Sequence, residues 1–179
     1  RFLHDVYLRD GLAFLSYWDE GLIILDVGNG VAGGSPVNPV EVGRLQIPGY
    51  WVHNAWYWPS AGYVFLGDEF NTSPGLRVID VSDLSKPVEV ASFSATGSTP
   101  HNFWLDESRG ILYAAWYRGG LRALDVNGTL MGELQRQGRQ IAQALYDGGN
   151  TNTWGPQLDN GRIYLSDYFS GVWVLQGNF

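Results

Sequence analysis

The sequence predicts an all-β protein, a β-propeller made of four-stranded antiparallel blades, and three observations carry that prediction. A block of short apolar runs separated by turn residues occurs about four times. Its copies keep step, because the glycine that opens the second run recurs as Gly11, Gly62, Gly110 and Gly161, at spacings of 51, 48 and 51 residues. The composition is that of a turn-rich sheet protein, with 24 Gly and 15% aromatic residues in 179. A fixed period of roughly 40–50 residues with four strands per unit is the signature of propeller blades. Burial supplies the reason, since a twisted sheet that is apolar on both faces needs a neighbour on each.

The second copy shows the unit most clearly. Its apolar runs lie around Val52–Trp56, Tyr63–Leu66, Leu76–Val81 and Val88–Phe93, divided by Pro-Ser-Ala-Gly, Asn-Thr-Ser-Pro-Gly and Asp-Leu-Ser-Lys-Pro. Gly supplies positive φ, Pro fixes φ, and Asn, Asp and Ser cap local N–H groups, so each run is bounded as a strand. The chain therefore reads as one domain over residues 1–179, with blades at about 1–48, 49–96, 97–149 and 150–179.

In the first blade the strands fall at His4–Leu8, Ala13–Tyr17, Leu22–Val27 and Val40–Ile47, and the uncharged Gly-rich connector before the last reads as a mobile loop. Asp26, Asp80 and Asp125 share one repeat position; they fit an Asx-type cap on the following turn better than a ring of carboxylates for a cation. The third blade departs from the pattern after Gly128. There we expect a short strand near Thr129–Leu134, then a helical turn or two through Gln137–Tyr146, because Leu134, Ile141 and Leu145 are spaced 7 and 4 apart. Arg136 and Arg139 read as a solvated face. In the fourth blade, Val172–Leu175 is the third strand and the fourth is missing. Four blades also fall short of the usual six to eight. The chain thus reads as the C-terminal part of a larger propeller, with a four-bladed or oligomeric ring as the alternative. Arg1 leads straight into a strand without a signal peptide, which points to processing or an incomplete chain.

Charge and composition exclude several functions. A net charge of −7 and a pI near 4.7 repel nucleic acid and anionic lipid surfaces. No apolar run approaches the ~20 residues of a membrane-spanning helix, so no membrane insertion is expected. The absence of cysteine rules out disulfide and thiolate chemistry. No P-loop, dinucleotide fingerprint, EF-hand loop or nucleophile elbow is present. Asn71-Thr72-Ser73 and Asn127-Gly128-Thr129 match a glycosylation sequon.

The run Gly75-Leu76-Arg77-Val78-Ile79-Asp80-Val81-Ser82-Asp83 with Lys86-Pro87-Val88-Glu89-Val90, and the run Gly120-Leu121-Arg122-Ala123-Leu124-Asp125-Val126, resemble the LVIVD-repeat family of bacterial and archaeal propellers. The resemblance spans all four repeats and weakens after Gly128 and at Gln176. It implies a propeller fold and a secreted or surface setting; it implies no reaction.

Two constellations could carry function. The three histidines, His4, His53 and His101, occupy one repeat position at the start of each blade's innermost strand, so their imidazoles converge at one mouth of the channel. Neutral imidazole is a ready ligand for a transition metal. The fourth blade has Trp154 there, and the competing reading is that each histidine bonds backbone of the next blade. The second constellation is the set of loops between the second and third strands, with Trp18, Asp19, Glu20, Asp68, Glu69, Phe70, Trp116, Tyr117, Asp167 and Tyr168 expected as a binding surface for a protein or carbohydrate partner. The function expected is a non-enzymatic extracellular, cell-surface or periplasmic binding or scaffold module without a cofactor, as an accessory subunit of a larger surface assembly. The alternatives are a metal-dependent enzyme built on the histidine ring and a hydrolase or lyase whose site lies in blades not present.

Overall fold

The computed structural model describes residues 2–70 and 75–177, and its strands fall into four consecutive sheets. The first blade holds β1 (Asp5–Arg9), β2 (Leu12–Ser16), β3 (Leu22–Asp26) and β4 (Val40–Leu45). The second holds β5 (Val52–Trp58), β6 (Tyr63–Asp68), β7 (Leu76–Asp80) and β8 (Val88–Phe93). The third contains β9 (Phe103–Asp106), β10 (Ile111–Ala115) and β11 (Leu121–Asp125), followed by the two-residue β12 (Gly132–Glu133) and by β13 (Gln140–Ala144). The last comprises β14 (Thr153–Asp159), β15 (Arg162–Asp167) and β16 (Gly171–Leu175). Apart from β12, which joins the sheet of the second blade, neighbours within each blade pair antiparallel in chain order, which makes the fold a β-propeller.

Strand periodicity decides which blade each residue serves. Along β6, Val64 and Leu66 pack toward the first blade while Phe65 packs toward the third. Along β10, Leu112 and Ala114 face the second blade, and Ile111 and Tyr113 face the fourth. Side chains on a strand alternate sides, so two-sided apolar strands join one core to the next. The outermost pairing slips at one repeat position, between Ile24 and Leu25, Val78 and Ile79, and Ala123 and Leu124. Each slip is a bulge that adds local twist to the outer edge of its blade.

The third blade corrects the expected helix over Gln137–Tyr146. Residues Gln140–Ala144 are the strand β13, paired with β11. A helix there would leave β11 with unpaired backbone groups, and the strand also turns Ala142 and Ala144 into the core shared with the fourth blade. Ile141 and Leu145, which suggested the helical period, are 43% and 57% exposed. The strand expected near Thr129–Leu134 shrinks to β12, which adds in parallel to β8 of the preceding blade. A 3-10 turn at Leu134–Gln137 then buries Leu134 between the two blades.

The Gly-rich connector is organised rather than loose. The Asp26 carboxylate accepts N–H bonds from Gly28, Asn29 and Gly30 on Oδ1 and from Ala32 and Gly34 on Oδ2, at 2.7–3.1 Å. The bond from Ala32, then that from Gly28, do most to hold its carboxyl far below the usual range. Asp80 and Asp125 cap the equivalent turns, accepting from Ser82 N and Asn127 N. The sequon at Asn71 lies outside the described residues.

Candidate functional site

Inner strands β1, β5, β9 and β14 start at one end of the propeller, so the histidines that open three of them meet there. Their rings form a continuous ladder. His4 and His53 lie 4.2 Å apart by ring centroid, His53 and His101 4.3 Å, and His101 and Trp154 3.9 Å. Trp18 stacks on the outer side of His4 at 4.9 Å, and Tyr168 follows Trp154 at 5.4 Å. His4 Nδ1–H donates to the His53 carbonyl (3.0 Å), and His101 Nδ1–H donates to that of Trp154 (2.6 Å). A carbonyl only accepts, so in the neutral form both rings carry their lone pair on Nε2. His53 breaks the series, because its buried Nδ1 has no partner. Burial first, then the neighbouring His101 and His4, lower its pKa to about 3, so the ring is neutral near pH 7. Burial lowers that of His101 as well.

Glu69 enters this cluster from the loop after β6. Its Oε2 lies 3.7 Å from His53 Nε2, and its Oε1 accepts a short bond from the Tyr117 hydroxyl of the next blade. Burial, and then that bond, raise the Tyr117 pKa far above its ordinary value. His4, Asp5, His53, Glu69, His101, Asn102 and Trp154 together line a cavity of about 280 Å³. A larger cleft of about 710 Å³ is bordered by residues of all four inner strands, with Tyr164, Ser166 and Val172 of the last blade.

The loop residues divide into two groups. Phe70 and Tyr168 are each 63% exposed, Asp19 is exposed, and Trp18, Glu20, Glu69 and Tyr117 are half-buried. Three expected surface residues are interior instead. Asp68 is fully buried and Asp167 nearly so, because each ends its strand and folds back onto backbone N–H groups: Trp51 and Phe70 for Asp68; Asn152, Phe169 and Ser170 for Asp167. Trp116 is also fully buried, packed edge-on against Phe93 at 5.6 Å, with its Nε1–H donated to Ser98 O. The exposed members that sequence reasoning missed are Trp51 and Phe2, at 39% and 53%, while Phe169, in the last of the loops that the sequence singled out, is 74% exposed. Trp51 precedes its strand and Phe2 precedes His4, so neither falls in the loops that the repeat alignment singled out.

Two of these loops also stitch blades together. Trp18 and Tyr117 occupy one repeat position with left-handed φ of 51° and 39°. A bulky residue rarely adopts that region. It turns their carbonyls toward the next blade, where they accept N–H bonds from Val52 and Thr153 at 3.1 and 3.0 Å.

Asp167 yields a pH prediction. Burial pushes its carboxyl up, but N–H donors from Asn152, Phe169 and Ser170 outweigh it and bring the pKa from 3.8 to about 2. A carboxyl depressed in the folded state stabilises fully above its unfolded pKa and loses that contribution as pH falls through the folded one. Asp167→Asn should therefore cost about 1–3 kcal/mol at neutral pH. It should also flatten the acid limb of stability between about pH 4 and pH 2, as urea melts across that range would show.

The LVIVD repeat model matches residues 3–46 and 58–95. The match covers most of the first two blades. Blades three and four keep the chain's own repeat spacing but lie outside the matched residues. No curated protein sequence matches the chain. Among solved structures, the computationally designed Ika4 protein aligns with a TM-score of 0.68 and 11% identity, over 97% of this chain and 90% of that one. The computationally designed Ika8 protein aligns at 0.67 and 11%, over 97% and 45%, and the C-terminal WD40 domain of Sif2 at 0.68 and 12%, over 98% and 46%. The chain thus spans under half of the last two. At these identities the likeness shows the propeller fold alone.

Proposed function

We propose that this propeller is a non-enzymatic binding module of an extracellular, cell-surface or periplasmic protein, and that it docks a protein partner through the aromatic end described above. The observation that carries this reading is the cluster of Trp18, Trp51 and Phe70. Their centroids lie 5.3–5.7 Å apart, and Trp18 meets the other two at 84° and 86°. Coplanar exposed rings would suit the face of a sugar. Perpendicular rings instead make a ridged apolar surface of the kind that anchors protein interfaces. Asp19 and Glu20 border the ridge, which suits a partner with a basic rim. The buried acids of these loops are occupied with backbone N–H groups, which favours a binding role over a hydrolytic one. The LVIVD repeats support placement at a cell surface, as an accessory subunit of a larger assembly.

A double variant, Trp51→Ser with Phe70→Ser, tests this. Both side chains are exposed, so the melting temperature should hold. In-cell cross-linking of the full-length protein identifies the partner, which is then purified and titrated against both forms. The variant should bind at least about tenfold more weakly, since interface aromatics contribute roughly 2 kcal/mol each. Equal affinity would overturn the reading. Binding of wild type alone to a polysaccharide, with no protein partner recovered, would replace it with a carbohydrate-binding one.

A further inference from the structure

We propose that His4, His53 and Glu69 form a binding site for a divalent transition metal of the zinc class. The proposal is independent of the aromatic ridge and assigns no reaction. One ligand atom from each of the three lies within 4.8 Å of the others. Two imidazoles and a carboxylate with an open fourth position form a recurring zinc donor set.

The hydrogen bonds around the cluster prepare its lone pairs. A metal-binding histidine commonly donates its other ring N–H to a carbonyl or carboxylate, which sets the tautomer. His4 does so through Nδ1–H to the His53 carbonyl, leaving Nε2 as the ligand atom. Tyr117 does the same service for Glu69: its hydroxyl occupies Oε1, while Oε2 is the oxygen beside His53. A role as inter-blade cement explains the Nδ1 bonds of His4 and His101. It does not explain His53, which is 3% exposed, makes no Nδ1 bond to the backbone of the next blade, and stands 3.7 Å from Glu69 Oε2, too far for a hydrogen bond.

The dimensions also fit. Zinc–ligand bonds of about 2.0–2.1 Å place tetrahedral donors roughly 3.4 Å apart. The His53–Glu69 pair is close to that separation, and the 4.8 Å spread closes by a movement of little more than an ångström. That movement falls to His4, exposed just ahead of β1, and to Glu69, on a loop, pivoting about their bonds to the His53 carbonyl and the Tyr117 hydroxyl. The cavity of about 280 Å³ leaves room for water or a small ligand at the open position. His101 lines the same cavity but stands outside the set, so the site differs from a symmetric ring of three histidines.

The test uses tag-free full-length protein loaded with Zn²⁺, or with Co²⁺ as a spectroscopic probe, followed by elemental mass spectrometry and calorimetric titration. One metal per chain is expected, with the visible absorption of a four-coordinate Co²⁺ site. The double variant His4→Asn with Glu69→Gln spares the buried histidine; it should fold and lose the metal. Tyr117→Phe should weaken binding about 10- to 100-fold, the effect of removing an outer support. His101→Gln should retain stoichiometric metal. Failure of folded wild type to bind either ion, or equal binding by the double variant, would overturn the proposal. So would loss of metal in His101→Gln, which would return the site to the histidine ring.

Discussion

Gly120→Ala is expected to lower the melting temperature by roughly 10 °C, whereas Gly171→Ala, at the same repeat position of the last blade, should lower it by under about 5 °C. Both glycines open the third strand of their blade with positive φ, 71° and 86°. An alanine there bears a backbone cost of about 1–2 kcal/mol in either blade. The difference is the neighbour. A Cβ on Gly120 would lie 2.0 Å from the Ala144 carbonyl oxygen at the end of β13, and on Gly21 it would lie 2.2 Å from that of Leu45 at the end of β4. No real Cβ tolerates such a contact, so the outer strand must move and surrender part of its pairing. The total reaches about 3–5 kcal/mol. Gly171 has nothing within 4 Å, because no fourth strand borders β16 among the described residues. Calorimetric melts of Gly21→Ala, Gly120→Ala and Gly171→Ala would decide the matter. Three equal losses would contradict the steric account.

Trp116→Ala should destabilise the protein by about 3–5 kcal/mol, the usual cost of deleting a large buried aromatic side chain. The indole fills the core between the second and third blades, where Ser98 brackets it: the Ser98 carbonyl accepts from Nε1, and the Ser98 hydroxyl donates to the Trp116 carbonyl, both at 2.9 Å. The Arg122 guanidinium sits 5.6 Å from the ring centroid. Trp116→Phe keeps most of the apolar contact and loses the Nε1 bond, so about 1–2 kcal/mol is expected. Urea midpoints with unchanged slope measure both. An alanine variant as stable as wild type would restore Trp116 to the exposed surface.

Trp116 also shows why the site was harder to read than the fold. Left-handed φ at Trp18 and Tyr117 makes these two residues structural equivalents, so Trp116 corresponds to Tyr17. The step of 99 residues from Gly11 to Gly110 gives the same correspondence, but that Trp116 turns inward is decided by its packing against the second blade. Asp68 and Asp167 were legible as loop acids, but not as interior braces, since their N–H donors come partly from Trp51 and Asn152, which precede the blade's inner strand. Glu69, one position on, is the carboxylate that reaches the histidines.

Propeller architecture, blade period and most strand positions were legible in the linear chain because alternation and turn chemistry are local: two-sided apolar runs such as Tyr63–Leu66 and the Gly and Pro between them act within a few residues. The caps at Asp80 and Asp125 are local in the same sense. Strand β13 was not, because its weak pattern yields to the open edge of β11, a partner supplied from elsewhere in the blade. The histidines could be placed on one end of the channel from their repeat position. Their division into a bonded pair and an unpartnered His53, and the arrival of Glu69 beside it, arise only when neighbouring blades pack, because those contacts join residues tens of positions apart and depend on distances that no local pattern encodes.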